Sequence, residues 1–228
     1  MENPSKYTQR GKLRSPTQGR FTPGTKLPYR KGPIPQKILD LLIGTLLGDA
    51  YGEKLKNGVT PNFQFKQSFI HANYLYYLYF TLAFWGYTSA NAPLPKTTSD
   101  GKGGLHTYLS FRTLAIPELS WIYYLFYVNG VKVISEDLIY YLNGRVLAYW
   151  IMDDGSWAGS GILIHCNSFS ESDVFLLVKM LNDKFGIKAS VRPKYNRHII
   201  YIHANSVSKV REITLPYLHS DFRYKVGL

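Results

Sequence analysis

Two aspartates stand at matching places in the chain, each at the end of an apolar run with the character of a helix. The runs cover residues 42–49 and 147–154, about 105 residues apart, and end in Asp49 and Asp154. In the first run Gly44 and Gly48 are four residues apart, so they share one helical face, where small residues let two helices approach closely. Side-by-side packing of the two helices would bring Asp49 and Asp154 together at their C-terminal ends.

The C-terminal end of a helix is an unfavourable place for two bare anions. The helix dipole puts negative potential there, and two close carboxylates repel each other and hold protons unless a cation binds. Mg²⁺ prefers carboxylate, backbone carbonyl and water oxygens, and the last carbonyls of the helices, around Gly48 and Asp153, are available as ligands. The paired ends therefore indicate a Mg²⁺ site, with Mn²⁺ as an alternative metal, suited to phosphodiester hydrolysis.

The overall charge indicates a polyanionic partner. The 228 residues include 27 Lys and Arg against 15 Asp and Glu, a net charge of +12, which favours nucleic acid or an anionic membrane surface. A hydrophobic fraction of 45 % excludes disorder of the whole chain. The single cysteine, Cys166, excludes a disulfide scaffold and a Cys-rich zinc site, and it favours a reducing compartment.

Most of the excess charge lies in an N-terminal segment. Residues 1–37 contain nine basic residues and one acid, a net charge of +8, with six of the twelve prolines. We interpret the segment as an extended basic arm that binds nucleic acid; an organelle transit peptide and a solvated tail are the alternatives. The uncharged aromatic run at residues 74–87 is shorter than the roughly 20 residues of a membrane span, so we expect a buried helix and no membrane association.

The order of elements repeats along the chain. Helices are predicted over residues 38–50, 71–85, 117–128, 145–154, 170–185 and 205–215, and strands over 62–66, 106–112, 161–167, 188–192 and 197–203. Two similar halves imply an internal duplication. We divide the chain into the arm at 1–37, a first half at 38–128, a linker at 129–144 and a second half at 145–228.

The predicted strands alternate between apolar and polar side chains, which is typical of half-buried sheets. Amides suit adenine edges and basic side chains suit guanine, so we predict that the polar faces read DNA. A loop at residues 96–104, with Lys102, is predicted to be a hairpin tip that contacts phosphate. The predicted base-reading residues are Asn62, Gln64, Lys66, His106, Tyr108, Ser110, Arg112, His165, Asn167, Lys188, Ser190, Arg192, Lys194, Arg197, Tyr201 and His203.

From residue 38 to the end, the chain resembles the LAGLIDADG homing endonucleases of the single-chain, two-motif, organelle-intron type. The first copy of the motif matches at Leu42, Gly44 and Asp49, and the second matches at Leu147, Ala148, Ile151, Asp154 and Gly155. The resemblance implies an α+β fold: two pseudo-symmetric αββαββα halves form a DNA-binding saddle, with the motif helices packed at its centre.

The resemblance also implies a function and the residues for it. Asp49 and Asp154 would be catalytic metal ligands, and Lys132 and Lys225 the lysines that order water beside the metals. The implied reaction is a Mg²⁺-dependent, staggered double-strand cut in a long DNA target by a mitochondrial monomer, with the plastid as an alternative location.

A second class of function fits the same fold. An RNA-binding intron maturase or ribosome-associated protein would use the saddle as a binding surface and the basic arm as an RNA contact. The +8 arm favours that alternative, whereas two acids at both motif ends favour the nuclease. An inactive transcriptional repressor of similar shape is a third alternative, which the two acids also disfavour.

Overall fold

A computed structural model of the chain describes residues 33–54, 60–101, 103–195 and 197–228. The α-helices are α1 Gln36–Leu47, α2 Ala72–Phe84, α3 Ser120–Phe126, α4 Gly144–Asp154, α5 Glu171–Phe185 and α6 Ala204–Thr214. The strands are β1 Tyr51–Glu53, β2 Asn62–Ser68, β3 Lys96–Ser99, β4 Leu105–Arg112, β5 Tyr127–Val128, β6 Val131–Lys132, β7 Gly155–Trp157, β8 Ile162–His165, β9 Ala189–Lys194 and β10 Arg197–Ile202. Short 3-10 helices join several of these elements.

The order αββαββα occurs twice, which confirms the predicted α+β fold class. The first repeat builds a four-stranded sheet in the order β1-β2-β4-β3, and the second builds one in the order β7-β8-β10-β9. The strand order is therefore the same in both repeats. A two-stranded hairpin, β5-β6, lies between them in the chain and contains Lys132.

Several predicted elements differ in the structure, including the following two. Lys96–Ser99, predicted as part of a loop, forms β3 and pairs with β4 in the register Thr98↔His106. Exposed polar side chains concealed this strand, because the pairing with β4 rather than side-chain burial holds it in place. The helix predicted to reach residue 128 ends at Phe126, where the chain enters the β5-β6 hairpin. Its turn residues, Asn129 and Gly130, have φ of 50° and 79°, as a tight hairpin turn requires.

Local capping explains why α4 and α5 begin where they do. Asn143 Oδ1 accepts hydrogen bonds from the N–H groups of Arg145 and Val146, at 2.9 and 3.0 Å, and so begins α4. Ser170 and Asp173 form a capping box at the start of α5, and Gly186 ends that helix at φ 66°.

The described residues form two compact units that cut across the sequence repeat. One unit contains Glu53–Pro117, and the other contains Pro35–Gly52 together with Glu118–Leu228. In the first unit α2 packs on the sheet, where Phe65 stacks on Phe111 with ring centroids 4.7 Å apart. In the second unit α1 packs against α4. Both motif helices therefore belong to the same compact unit.

Two of the predicted features fall partly or wholly outside the described residues. Most of the basic arm, residues 1–32, lies there, and so does Lys102 in the turn between β3 and β4. In the part of the chain that is described, none of the helices has both the length and the apolar composition needed to cross a lipid bilayer.

Candidate active site

The two motif helices approach each other closely through the glycines of α1. A Cβ atom on Gly44 would lie 2.5 Å from Cβ of Tyr149 and 2.7 Å from the carbonyl oxygen of Val146. A Cβ atom on Gly48 would lie 2.6 Å from Oδ2 of Asp153. Real Cβ contacts are longer than this, so only glycine fits at either position. The sequence-based expectation of a close helix pair is therefore met by direct contact between α1 and α4.

Three carboxylates gather where the two helices end. The backbone N–H of Asp49 donates to Oδ2 of Asp153 at 3.2 Å. Burial raises the pKa of Asp154 to about 7, and the negative charge of Asp49 adds to the rise. The structure thus brings Asp49 and Asp154 into electrostatic contact. The carboxylate of Asp153 is a third member that sequence reasoning missed, since it considered only the backbone carbonyl of that residue.

Lys132 lies against the end of α1. Its Nζ donates to the carbonyl oxygens of Gly48 and Ala50, at 3.4 and 3.3 Å. Burial lowers the pKa of Lys132 to about 8, against the opposing attraction of Asp154, Asp153 and Asp49. A buried cation at this point complements the negative end of the α1 dipole.

Lys225 occupies the corresponding place at the end of α4. Its Nζ donates to the carbonyl oxygens of Met152 and Asp153, at 2.5 and 3.0 Å. The residue is only 8 % exposed, and burial lowers the pKa of its amine while the three aspartates oppose that change. Each motif helix therefore ends in an acid and in a lysine bound to its last carbonyls.

The oxygen atoms of the site suit a hard divalent cation. Among the described residues, no group of three or more His, Cys, Asp or Glu side chains is arranged to hold a metal. The two predicted carbonyl ligands, Gly48 O and Asp153 O, are not free, because each accepts a hydrogen bond from a lysine. A carbonyl oxygen has a second lone pair, so it can still bind a cation. Burial and the charge of Asp49 raise the pKa of Asp154 although Lys132 and Lys225 oppose the change, so a further positive charge would favour its ionised form. These groups fit Mg²⁺ or Mn²⁺.

The first sheet presents a preorganised polar surface. Gln64 Oε1 accepts from Nε of Arg112 at 2.9 Å, and Arg112 also forms an ion pair with Glu53 at 3.2 Å. Nζ of Lys66 lies 4.2 Å from the centre of the Tyr108 ring. A surface pocket of about 330 Å³ is lined by Gln64, Lys66, Lys96, Tyr108, Ser110, Phe111 and Arg112.

Two predicted base-reading residues of the first repeat lie outside this pocket. Asn62 is only 7 % exposed, so it is withdrawn from the polar face. His106 is exposed and lies 3.4 Å from Asp100 near the β3-β4 turn. The five others, Gln64, Lys66, Tyr108, Ser110 and Arg112, share one surface.

The second sheet carries the remaining predicted contacts. The guanidinium of Arg192 lies 3.4 Å from the centre of the Tyr201 ring, and Lys194 and Arg197 are exposed. Arg197 donates to the carbonyl oxygen of Asn167, at 2.5 Å, just beyond β8. Burial and the charges of Lys194 and Lys225 lower the pKa of His165. Of the others, Lys188 precedes β9 and is exposed, Ser190 is half-buried within β9, and His203 is the half-buried residue that precedes α6.

Comparisons of the sequence agree with this arrangement. Residues 39–210 match the model of the LAGLIDADG DNA endonuclease family. The chain is 36 % identical over 205 residues to the cytochrome b mRNA maturase bI2 of Saccharomyces cerevisiae, covering 86 % of this chain and 48 % of the maturase. It is 30 % identical over 197 residues to the bI2 maturase of Debaryomyces hansenii, covering 86 % of this chain and 75 % of that protein. The chain thus spans about half the length of the Saccharomyces relative.

A solved structure has the same fold over nearly the whole chain. It is that of the homing endonuclease I-WcaI bound to its DNA recognition sequence, with a TM-score of 0.82 and 26 % sequence identity, covering 90 % of this chain and 94 % of that one. The family model covers well over half of the residues, and the two motif helices it includes end in the acids and lysines described above. On these grounds the chain is a member of the LAGLIDADG DNA endonuclease family.

Proposed function

We propose that this chain is a site-specific homing endonuclease that makes a staggered double-strand cut in a long DNA target. The observation that supports the proposal is that the same arrangement of an acid and a lysine occurs at the end of both motif helices. Asp49 with Lys132, and Asp154 with Lys225, stand at equivalent places beside one another in the same compact unit. Two such sets match the two phosphodiester bonds of a duplex cut.

The side chains of the site have distinct roles in this reaction. Asp49 and Asp154, with the carbonyls of Gly48 and Asp153, would hold Mg²⁺. The bound metal would lower the pKa of a coordinated water and offset charge on the phosphate. Lys132 and Lys225 are fixed to backbone carbonyls, so their charges are oriented before DNA arrives and stabilise negative charge as it develops on the phosphate oxygens.

DNA recognition would use the polar faces of the two sheets. The net charge of +12 supplies a sequence-independent attraction to phosphate. The paired contacts of Arg112 with Gln64 and Glu53 hold a guanidinium in one orientation, as base readout requires. A relative of the same fold is bound to its DNA recognition sequence, which supports double-stranded DNA as the partner of this chain.

A maturase activity is the second candidate function. The two relatives named as cytochrome b mRNA maturases share 36 % and 30 % identity with 86 % of this chain. That similarity favours intron RNA as an additional or alternative partner, and the basic arm is the segment we assign to it. The same names, which refer to cytochrome b, support a mitochondrial location.

A cleavage experiment distinguishes the two. The native protein is incubated with DNA spanning the junction at which its own intron is inserted, in the presence of Mg²⁺, beside Asp49→Asn and Asp154→Asn variants. We expect a double-strand cut by the native protein only. Binding without any cut in Mg²⁺ or Mn²⁺ would contradict the nuclease. Tight, salt-sensitive binding to the intron RNA would then establish the maturase alternative as the better account.

A further inference from the structure

Lys132 is held by residues of the other repeat. The lysine belongs to the β5-β6 hairpin, which follows the first repeat, whereas its Nζ lies 5.2 Å from the centre of the ring of Phe169, in the loop between β8 and α5 of the second repeat. Two residues after Lys132, the backbone N–H of Ile134 donates to Oδ1 of Asp173 at 3.0 Å. These two contacts, one from the loop between β8 and α5 and one from the first turn of α5, hold the segment that contains Lys132.

The loop that carries Phe169 is itself anchored. The backbone N–H of Phe169 donates to the carbonyl oxygen of Cys166 at 3.1 Å, and Cys166 is buried. Four residues further on, Asp173 is fixed by the capping box with Ser170. The aromatic ring is therefore presented to the lysine from a well-anchored turn, and its face attracts the ammonium group.

Lys225 is held differently. Its aromatic neighbour, Phe222, is three residues away on the same C-terminal 3-10 helix, with the ring centre 4.8 Å from Nζ. Phe222 is 1 % exposed and belongs to the core, whereas Phe169 is half-buried. The two lysines have matching carbonyl partners but unequal aromatic support, so their positions can be perturbed separately.

We propose that Phe169 is a positioning residue for Lys132, and through it for the cut in one of the two DNA strands. The contact between Phe169 and Lys132 stands on the geometry alone. The link to strand cutting rests on the proposed endonuclease function, because it requires that each lysine serves a different scissile phosphate. Phe169 acts through the lysine, which it restricts to the orientation that also reaches the carbonyls of Gly48 and Ala50.

The test uses substitutions of Phe169 that distinguish the effect of the aromatic ring from the effect of an apolar side chain in general. Phe169→Leu keeps an apolar side chain but loses the ring, and Phe169→Tyr keeps the ring. The matched control is Phe175→Leu, on α5, where the phenylalanine is 56 % exposed. Cleavage of a supercoiled plasmid that carries the target is followed with each strand labelled, so that the two cuts are timed separately.

We expect Phe169→Leu to slow one strand by about two- to fivefold, the change that loss of a cation–π contact to a half-buried ring corresponds to. A nicked plasmid would then accumulate, while the other strand is cut at the native rate. Phe169→Tyr and Phe175→Leu should cut both strands at native rates. Equal slowing of both strands by Phe169→Leu would overturn the link to one cut, since a general loss of folded protein has that effect.

A second measurement tests the contact without any DNA. In protein labelled with ¹³C-lysine, the Hε resonance of Lys132, assigned with a Lys132→Met variant, should lie upfield because of the ring current of Phe169. It should move to the usual lysine position in Phe169→Leu and remain upfield in Phe169→Tyr. An unshifted Lys132 resonance in the native protein would overturn the proposal. If the Lys132 resonance is shifted but the protein cuts no DNA, the contact between Phe169 and Lys132 is confirmed and the proposed endonuclease function is wrong.

Discussion

The backbone N–H of Asp49 donates a hydrogen bond to Oδ2 of Asp153 at 3.2 Å, and so joins the two motif helices at the point where their acids gather. The bond uses one of the last N–H groups near the end of α1 to bind a carboxylate of α4. It partly compensates for repulsion among Asp49, Asp153 and Asp154, which the buried amines of Lys132 and Lys225 also reduce. The metal-free site is thus a compromise between attraction and repulsion.

Replacing one acid should stabilise the metal-free protein. Asp154 has its pKa raised from 3.8 to about 7, so its ionised form costs free energy at neutral pH. We expect Asp154→Asn to raise the free energy of unfolding at pH 8 by about 2 kcal/mol, measured in urea with EDTA, while it abolishes cleavage. The control is Asp183→Asn, which removes an exposed ion pair with Lys179 and should leave the stability nearly unchanged. A destabilised Asp154→Asn would contradict the expectation.

The stability of the metal-free protein should have a local minimum in its pH dependence. Asp154 has a raised pKa in the folded state, so its contribution is lost as pH rises from about 4 through about 7. Lys132 has a folded pKa of about 8, below its usual 10.5, so its contribution is regained as pH rises from about 8 towards 10.5. Compared with an Asp154→Asn/Lys132→Met variant, the native protein should therefore have its lowest relative free energy of unfolding near pH 7–8. A difference that is flat from pH 5 to 10 would exclude this coupling.

The glycines of α1 should tolerate no side chain. A Cβ on Gly44 would lie 2.5 Å from Tyr149 Cβ, which belongs to the opposite helix and is fully buried. Gly44→Ala should destabilise the protein by about 1–3 kcal/mol in urea unfolding, the usual cost of overpacking, despite the better helix propensity of alanine. Lys184→Ala, at an exposed position near the end of α5, is the control and should change stability by less than about 0.5 kcal/mol. Unchanged stability of Gly44→Ala would mean that the helices can separate without cost.

A buried charge network should be essential to the far end of the helix pair. Asp40 on α1 is 3 % exposed and accepts hydrogen bonds from Gln36 at 2.7 Å, Asn143 at 2.8 Å and Arg145 at 3.2 Å. Asp40→Ala leaves the guanidinium without its carboxylate and should cost about 3–5 kcal/mol in urea unfolding. Asp183→Ala, which breaks the exposed pair with Lys179, provides the comparison and should leave the stability nearly unchanged. Equal effects of the two changes would show that Asp40 is no better paired than a surface acid.

Base discrimination should depend on the contacts of Arg112. A guanidinium held by Gln64 and Glu53 can offer two donors to a guanine. We expect Arg112→Ala to weaken DNA binding by about 1–3 kcal/mol and to relax the preference at one base pair, measured with a set of singly substituted targets. Lys96→Ala, in the same pocket, should instead weaken all targets alike and reduce the salt dependence of binding. Loss of affinity without any change in base preference would assign Arg112 to phosphate contact.

Much of the helix pair could be predicted because its signals are local. The spacing of Gly44 and Gly48 and the apolar periodicity of the two runs required only a few consecutive residues, and the capping box at Ser170 did too. The lysine contacts could not be found this way. Lys132 meets Gly48 across 84 positions and Lys225 meets Met152 across 73, so only the fold brings them together; the family resemblance, not the residue pattern, pointed to both lysines.

Other misses have equally physical causes. Strand β3 has four exposed polar residues, so its alternation carries no hydrophobic signal, and backbone pairing with β4 alone defines it. Asn62 has the alternation of an outward-facing residue but is buried where the strand begins. The motif pattern emphasises Asp154 and does not point to the carboxylate of Asp153. The close approach of the two helices at Gly48 brings both carboxylates to the site.

The division of the chain into units that cut across the repeat has a consequence for how such a protein can change its target. All four proposed catalytic side chains belong to Pro35–Gly52 and Glu118–Leu228, so Glu53–Pro117 is topologically an insertion with one exit point and one return point. A chimaera that exchanges only this insertion for that of a relative therefore replaces β2, β3 and β4, three of the four strands of the first sheet, while keeping the proposed catalytic groups in their native chain. Under the proposed function, one half of a recognition sequence could then be changed by joining the chains at two points, without altering the site at the ends of the motif helices.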